Sequence, residues 1–247
     1  MEFAALREEM VDSLLHEGTA LPDARPADAA MRAVPRHEFV DADHRAYTDQ
    51  SFEHQGTRVL PPSTVARLVA ALEPREGDDV LVVGAGVGYT VAVLAEIVGP
   101  EHVHAVDIDR QLVYDARGNL ADAGYGDVLV DCRDGAEGLP EYAPFDRVLV
   151  EAAAVGAPPA LLEQLADDDG RLVFPEGTGD QRLVSVDASG ETVGVHGPVA
   201  FAPLLVDGEQ ASAVERNRTV REDRERAAKA AESRRGWERD WIDWDDY

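Results

Sequence analysis

The run Val80-Leu81-Val82-Val83 leads into Gly84-Ala85-Gly86-Val87-Gly88-Tyr89 and then into the helical stretch TVAVLAEIV. Glycines at alternate positions let the backbone turn sharply and bring a ligand against a strand end, where the following helix offers unpaired N–H groups. Such a loop suits a nucleotide-bearing cofactor, although the spacing alone is weakly specific. The dinucleotide fingerprint needs Gly or Ala at its sixth position for close helix packing, and Tyr89 stands there, which disfavours a nicotinamide cofactor. Two acids follow at strand ends. Asp107 closes the next apolar run, where its carboxylate would lie beside the glycine loop and could accept both hydroxyls of a ribose. Asp134, in Cys132-Arg133-Asp134-Gly135, follows the third run and could accept a hydrogen bond from an adenine amino group. Each has a plainer reading, as a strand-end acid in an acid-rich chain and as an ordinary Asp-Gly turn.

Positioning these residues requires an alternation of strands and helices. From residue 79 onward, short apolar runs recur as DVLVV (79–83), HVHAV (102–106), DVLVD (127–131), RVLVE (147–151) and RLVF (171–174), with helical stretches between them. Strands nearly continuous in Val and Leu imply a parallel sheet covered on both faces. RLVSVDASGETVGVH (182–196) then changes to a period of two around Ser189-Gly190, which predicts a β-hairpin closing the sheet edge. Ahead of the sheet, Phe3, Leu6, Met10, Leu14 and Leu15 fall at helical spacing within 2–16, and a second short helix is expected at 27–34, before Pro35. These open an N-terminal helical cap over 1–60, with the cofactor domain running to 208.

The chain has 247 residues, 45% hydrophobic, enough to bury one good core. Its first residues lack the basic and apolar segments of a secretory leader, and no run reaches the roughly 18 apolar residues of a membrane helix, so a soluble cytoplasmic protein is expected. Cys132 is the sole cysteine, which rules out an internal disulfide and a zinc site built on paired cysteines; no metal is expected, and the thiol reads as a small buried hydrophobe. The net charge is −26, from 49 acidic against 23 basic residues, with the acids dispersed along the chain. Such a shell suits concentrated salt, where screening is complete within a few ångströms, and it disfavours nucleic acid, whose binding depends on Lys and Arg. The segment 209–247 differs, with 11 acidic and 9 basic residues, pairs such as Glu222 with Arg226 at helical spacing, and Trp237, Trp241 and Trp244 near its end. It reads as a charged helical tail with a Trp-rich terminus that would serve as a binding element for a protein partner.

Taken together, VPRHEFV (34–40), Tyr47 with Asp49, VLVVGAGVGYTVAVLAEIVG (80–99), Asp107, RDG (133–135), APFDRVLVEAA (143–153) and VAFAPLL (199–205) resemble the protein-L-isoaspartate O-methyltransferases over roughly residues 3–207. The resemblance implies an α/β, Rossmann-like class I methyltransferase fold with S-adenosyl-L-methionine as cofactor. The implied substrate is damaged protein or peptide, methylated on the free carboxylate of an isoaspartyl residue. It also implies that Gly84, Gly86 and Gly88 form the methionine and ribose loop, with Asp107 on the ribose and Asp134 on the adenine. Tyr89, Ile108 and Gly135 complete the implied cofactor set.

One segment departs from the family. Its substrate loop usually reads Gly-Gln-Thr-Ile-Ser before a proline-led helix; here Gly56-Thr57-Arg58-Val59-Leu60 precedes Pro62, so Leu60 stands at the serine position and Arg58 at the threonine position. Counted from Asp49, the loop is also two residues shorter. Val82 replaces the acid usual at that strand end, removing a polar contact to the methionine part of the cofactor. Methyl transfer from a sulfonium to a carboxylate is a one-step displacement by a nucleophile already ionised near pH 7, so positioning matters more than a general base. No catalytic residue is therefore assigned; His54, Thr57, Arg58 and Leu60 are the substrate-loop candidates. Arg58 is either a bidentate carboxylate anchor or an exposed loop arginine, and His54 either a site residue or a solvent-facing one. Two functions follow: an isoaspartyl carboxyl methyltransferase, or a paralogue that keeps S-adenosylmethionine, has a changed substrate or lost turnover, and works as a binding module through its tail.

Overall fold

The computed structural model describes residues 2–16, 25–40, 43–54 and 56–205. Two helices open the chain, α1 (Glu2–His16) and α2 (Arg25–Ala33), the second starting two residues earlier than its apolar spacing suggests. A two-stranded hairpin follows, β1 (Phe52–His54) and β2 (Thr57–Val59), then α3 (Pro62–Leu72). The region read as a helical cap therefore also holds β structure. Strands of three residues are too short to display a period, which is why the pattern did not announce them.

The main body alternates β3 (Val80–Val83), α4 (Tyr89–Val98), β4 (Val103–Asp107), α5 (Arg110–Asp122), β5 (Leu129–Cys132), β6 (Arg147–Val150), α6 (Pro159–Leu162), β7 (Arg171–Glu176), β8 (Gln181–Val186) and β9 (Thr192–Val199). The strands form one sheet in the order β5-β4-β3-β6-β7-β8-β9, parallel from β5 to β7 and antiparallel thereafter. All four residues of β3 and of β6 are buried, as expected for central strands with helices on both faces. Their side chains divide by alternation: Val80, Val82 and Leu149 join the core under α1–α4, while Leu81, Val83, Val148 and Val150 join the core on the opposite face.

The predicted hairpin is β8–β9, and its turn is tied by the Asp187 carboxylate, which accepts from the Ser189 and Glu191 N–H groups at 2.9 and 3.1 Å. Cys132 corrects an expectation. It is exposed, not buried, because β5 is the edge strand and Cys132 is its last residue, beyond the cover of α5. The tail expected over 209–247 lies outside the described residues. Among those described, no helix is long and apolar enough to cross a membrane.

Candidate active site

Strand order reverses between β3 and β6, since the chain runs outward through β4 and β5 and then returns to the other side of β3. In open α/β sheets, ligands bind outside the carboxyl ends of the strands at such a switch point. Here those ends carry Gly84 after β3, Asp107 at the end of β4, Asp134 after β5 and Glu151 after β6. The glycine loop lies across β4: the Gly84 and Ala85 N–H groups donate to the Val106 carbonyl at 2.8 and 3.0 Å. Asp107 fixes the next turn, with Oδ2 accepting from Gly86 N–H and Oδ1 from Asp109 N–H, both at 3.0 Å. An ionised carboxylate has about four acceptor positions, so Asp107 keeps some acceptor capacity beyond its backbone donors. Burial pushes the Asp107 carboxyl above its ordinary range, while the backbone N–H donors pull it back.

A side chain built onto Gly86 would meet nothing within 4 Å, so the loop presents bare backbone to open space, the surface a cofactor needs. Gly135 is glycine for another reason. A Cβ there would stand 2.3 Å from Val83 Cγ1, so close packing of the 133–135 turn onto β3 demands its absence. Asp134 Oδ1 accepts from Ala136 N–H at 2.9 Å, the hydrogen bond of an Asx turn, so the plain turn geometry is present at this position. Ile108 is partly exposed beside Asp107, its carbonyl 3.9 Å from Cys132 Sγ.

Opposite the glycine loop stands the β1–β2 hairpin. A pocket between them is lined by Thr57, Arg58 and Leu60 on one side and by Gly86, Tyr89 and Glu151 on the other. Three of the four substrate-loop candidates thus come together. His54 does not line this pocket: it is half-buried and its Nε2 meets Asp115 Oδ2 on α5 at 2.8 Å, pulling the Asp115 carboxyl below its usual range. The hairpin is thereby pinned to the helix that follows β4. Arg58 is exposed at the pocket rim, and Leu60 is partly buried against the core.

Three residues in this site were not singled out by sequence reasoning. Arg36 is completely buried; its Nε donates to the Ala46 carbonyl at 2.8 Å and its Nη2 to the Leu60 carbonyl at 2.7 Å. Its guanidinium carbon sits 4.4 Å from the centre of the Tyr89 ring, so one side chain clamps the hairpin's exit to the first residue of α4. Tyr89 is buried against Phe39, and burial pushes its hydroxyl up to about 12 against the pull of the neighbouring Arg36 guanidinium. The others are Glu151 and Thr90. Glu151 Oε1 is sealed from solvent and unpartnered; burial, with a smaller push from Asp107, raises its carboxyl to about 7 against the pull of the Thr90 hydroxyl. A signal existed for Glu151, an acid ending the apolar run VLVE just as Asp107 ends VHAVD.

Residues 5–210 match the family model "Protein-L-isoaspartate(D-aspartate) O-methyltransferase (PCMT)". The chain is 40% identical over 211 residues to the protein-L-isoaspartate O-methyltransferase of Roseiflexus castenholzii, covering 83% of this chain and 94% of that one. It is 43% identical over 182 residues to that of Methanocella arvoryzae, covering 71% and 96%. Among solved structures, a protein-L-isoaspartate O-methyltransferase superposes with a TM-score of 0.69 at 25% identity, over 80% of this chain and 65% of that one. A Plasmodium falciparum structure of the same description, in complex with S-adenosyl-L-homocysteine, superposes with a TM-score of 0.69 over 81% of this chain and 98% of that one; at 20% identity it speaks for the fold.

Proposed function

The chain belongs to the protein-L-isoaspartate O-methyltransferase family, and on that premise we propose that it methylates the free carboxylate of isoaspartyl residues in damaged proteins and peptides. The observation that carries the reading is the pocket in which Thr57, Arg58 and Leu60 of the hairpin face the glycine loop across the end of the sheet. S-adenosyl-L-methionine, when bound, supplies an electrophilic methyl group on a sulfonium. The residues present suit it: bare backbone at Gly86, remaining acceptor capacity on Asp107, and helix N–H groups at the start of α4. Transfer of that methyl to a carboxylate oxygen, with the bonding pair left on sulfur, would require no proton movement, so the protein's own work is to align the reactants and exclude water.

In this reading Arg58 reaches the substrate carboxylate from the rim, Thr57 adds a hydroxyl, and Arg36 holds the hairpin through the Leu60 carbonyl. Gly84, Gly88, Tyr89, Ile108, Asp134 and Gly135 complete the cofactor wall. Incubation with methyl-labelled S-adenosylmethionine in molar KCl should place base-labile label on an isoaspartyl peptide and leave the matching aspartyl peptide unlabelled. Equal labelling of both, or of neither, sinks the assignment.

We also propose a cytoplasm of high salt as the working environment. The support is the −26 net charge with its dispersed acids. The thermal midpoint should rise from low to molar KCl; a flat or falling midpoint contradicts it. The segment 209–247 is proposed as a docking element for a protein partner, supported by its charge balance and by Trp237, Trp241 and Trp244 at spacings of four and three. Chains cut after Gly208 should keep peptide methylation and lose only partner binding.

A further inference from the structure

Glu151 leaves β6 at the point where the strand order reverses, its N–H bonded to the Val83 carbonyl at 2.8 Å. Leu149, two residues earlier, pairs with Val82 and shares its core face, so alternation carries the Glu151 side chain to that same face. A Cβ built on Gly84 would lie 3.5 Å from Glu151 Cβ, so the carboxylate rises directly beside the first glycine of the cofactor loop. In the resemblance drawn from the sequence, Val82 stands where the family's pattern has an acid. The acid missing from β3 thus has a counterpart on the neighbouring strand.

The ionisable groups around Glu151 are Asp107 at the end of β4, Tyr89 on α4 and Arg58 on the hairpin, with the Thr90 hydroxyl bonded to the carboxylate. Asp107 repels an anion at Glu151, and Arg58 is exposed at the rim, so Glu151 Oε1 is enclosed without a cation to balance it. A desolvated carboxylate in this state is costly until a positive partner arrives. A substrate carboxylate cannot be that partner, since two such charges about 4 Å apart repel by roughly 4 kcal/mol in a partly wet site. The amino-acid end of the cofactor brings an ammonium.

We propose that Glu151 binds the α-ammonium of the methionine moiety of S-adenosylmethionine, taking over from the acid that Val82 replaces. The inference rests on the cofactor reading given above. Calorimetry on the full chain in molar KCl tests it with two ligands, S-adenosylhomocysteine and its analogue bearing a hydroxyl in place of the α-amino group. The parent should bind the amino ligand at least tenfold more tightly than the analogue, and Glu151→Gln should bind the two alike. Comparing ligands within one protein is insensitive to how much of that protein is folded. Adding Val82→Glu to Glu151→Gln should restore the preference. A Glu151→Gln chain that keeps the parent's preference overturns the inference, as does one that weakens both ligands equally and leaves their ratio unchanged. Failure of the parent to bind S-adenosylhomocysteine at all instead overturns the cofactor reading beneath it.

Discussion

The two sides of the glycine loop differ in who satisfies their polar groups. On the side toward β4 and β5, Asp107 and Asp134 each accept backbone N–H groups, so the protein holds these carboxylates in place unaided. On the side toward β6 and the hairpin, Glu151 Oε1 is buried without a hydrogen-bond partner, while the buried Tyr89 hydroxyl and Arg36 guanidinium face each other. Buried polar groups are almost always hydrogen-bonded, so the orphaned Glu151 carboxylate oxygen beside the pocket is the exception that the proposed cofactor contact would satisfy. On the proposed reading, the first side is a preformed cradle, and the second carries an electrostatic cost that cofactor binding would relieve.

The sharpest way to break this contrast is Asp107→Ala. It removes an acceptor for a ligand and also leaves the Gly86 and Asp109 N–H groups unpaired, so cofactor affinity should fall by about 1.5–3 kcal/mol and the thermal midpoint with it. Calorimetry finding equal affinity in mutant and parent would remove Asp107 from the site.

Glu151→Gln should act in the opposite direction on stability. Burial raises the Glu151 carboxyl to about 7, so the folded state binds its proton more tightly than the unfolded chain does. The associated stability is full below the ordinary carboxyl range and is lost as pH rises through about 7. The ligand-free mutant should therefore lie within about 1 kcal/mol of the parent at pH 5 and exceed it at pH 8, the gap widening by on the order of 2 kcal/mol. Denaturant curves with the same gap at both pH values would contradict a titrating Glu151.

A smaller effect is expected at the rim. Leu60→Ser should raise isoaspartyl methylation several-fold with cofactor affinity unchanged, because Leu60 lines the pocket with an apolar group where the proposed substrate carboxylate would dock. The loop shortened by two residues is the competing cause, and an unresponsive mutant would point to it. Smallest of all is His54→Ala. Its bond to Asp115 is half-exposed and should be worth at most about 1 kcal/mol in chemical denaturation, less in molar salt. A loss well beyond that would make the hairpin's anchor part of the core.

Where repetition was long enough, the sequence spoke clearly. Five Val-rich runs became β3 to β7, and the period-two segment became β8 and β9, because burial on two faces or one writes itself into side-chain type. The glycine loop and its two acids were legible for the same reason, each standing at a strand end. The β1–β2 hairpin was not, since its three-residue strands are held by His54, Asp115 and the Arg36 clamp, contacts with distant parts of the chain. Glu151 was visible as a strand-end acid, but its lack of a partner is a property of packing. Cys132 was misjudged because residue type favours burial and edge position does not show in one strand's composition.

The measurement closest to the central claim is the number of protons released when S-adenosylhomocysteine binds, read by calorimetry in buffers of different ionisation enthalpy. If the ligand's ammonium completes the β6 side, binding at pH 6.5 should drive a proton from Glu151, roughly half to three-quarters of one per site for a group titrating near 7. Release should shrink toward zero at pH 8 and vanish in Glu151→Gln at either pH. No proton release in the parent at pH 6.5, or the same release with and without the Glu151 carboxyl, would contradict it.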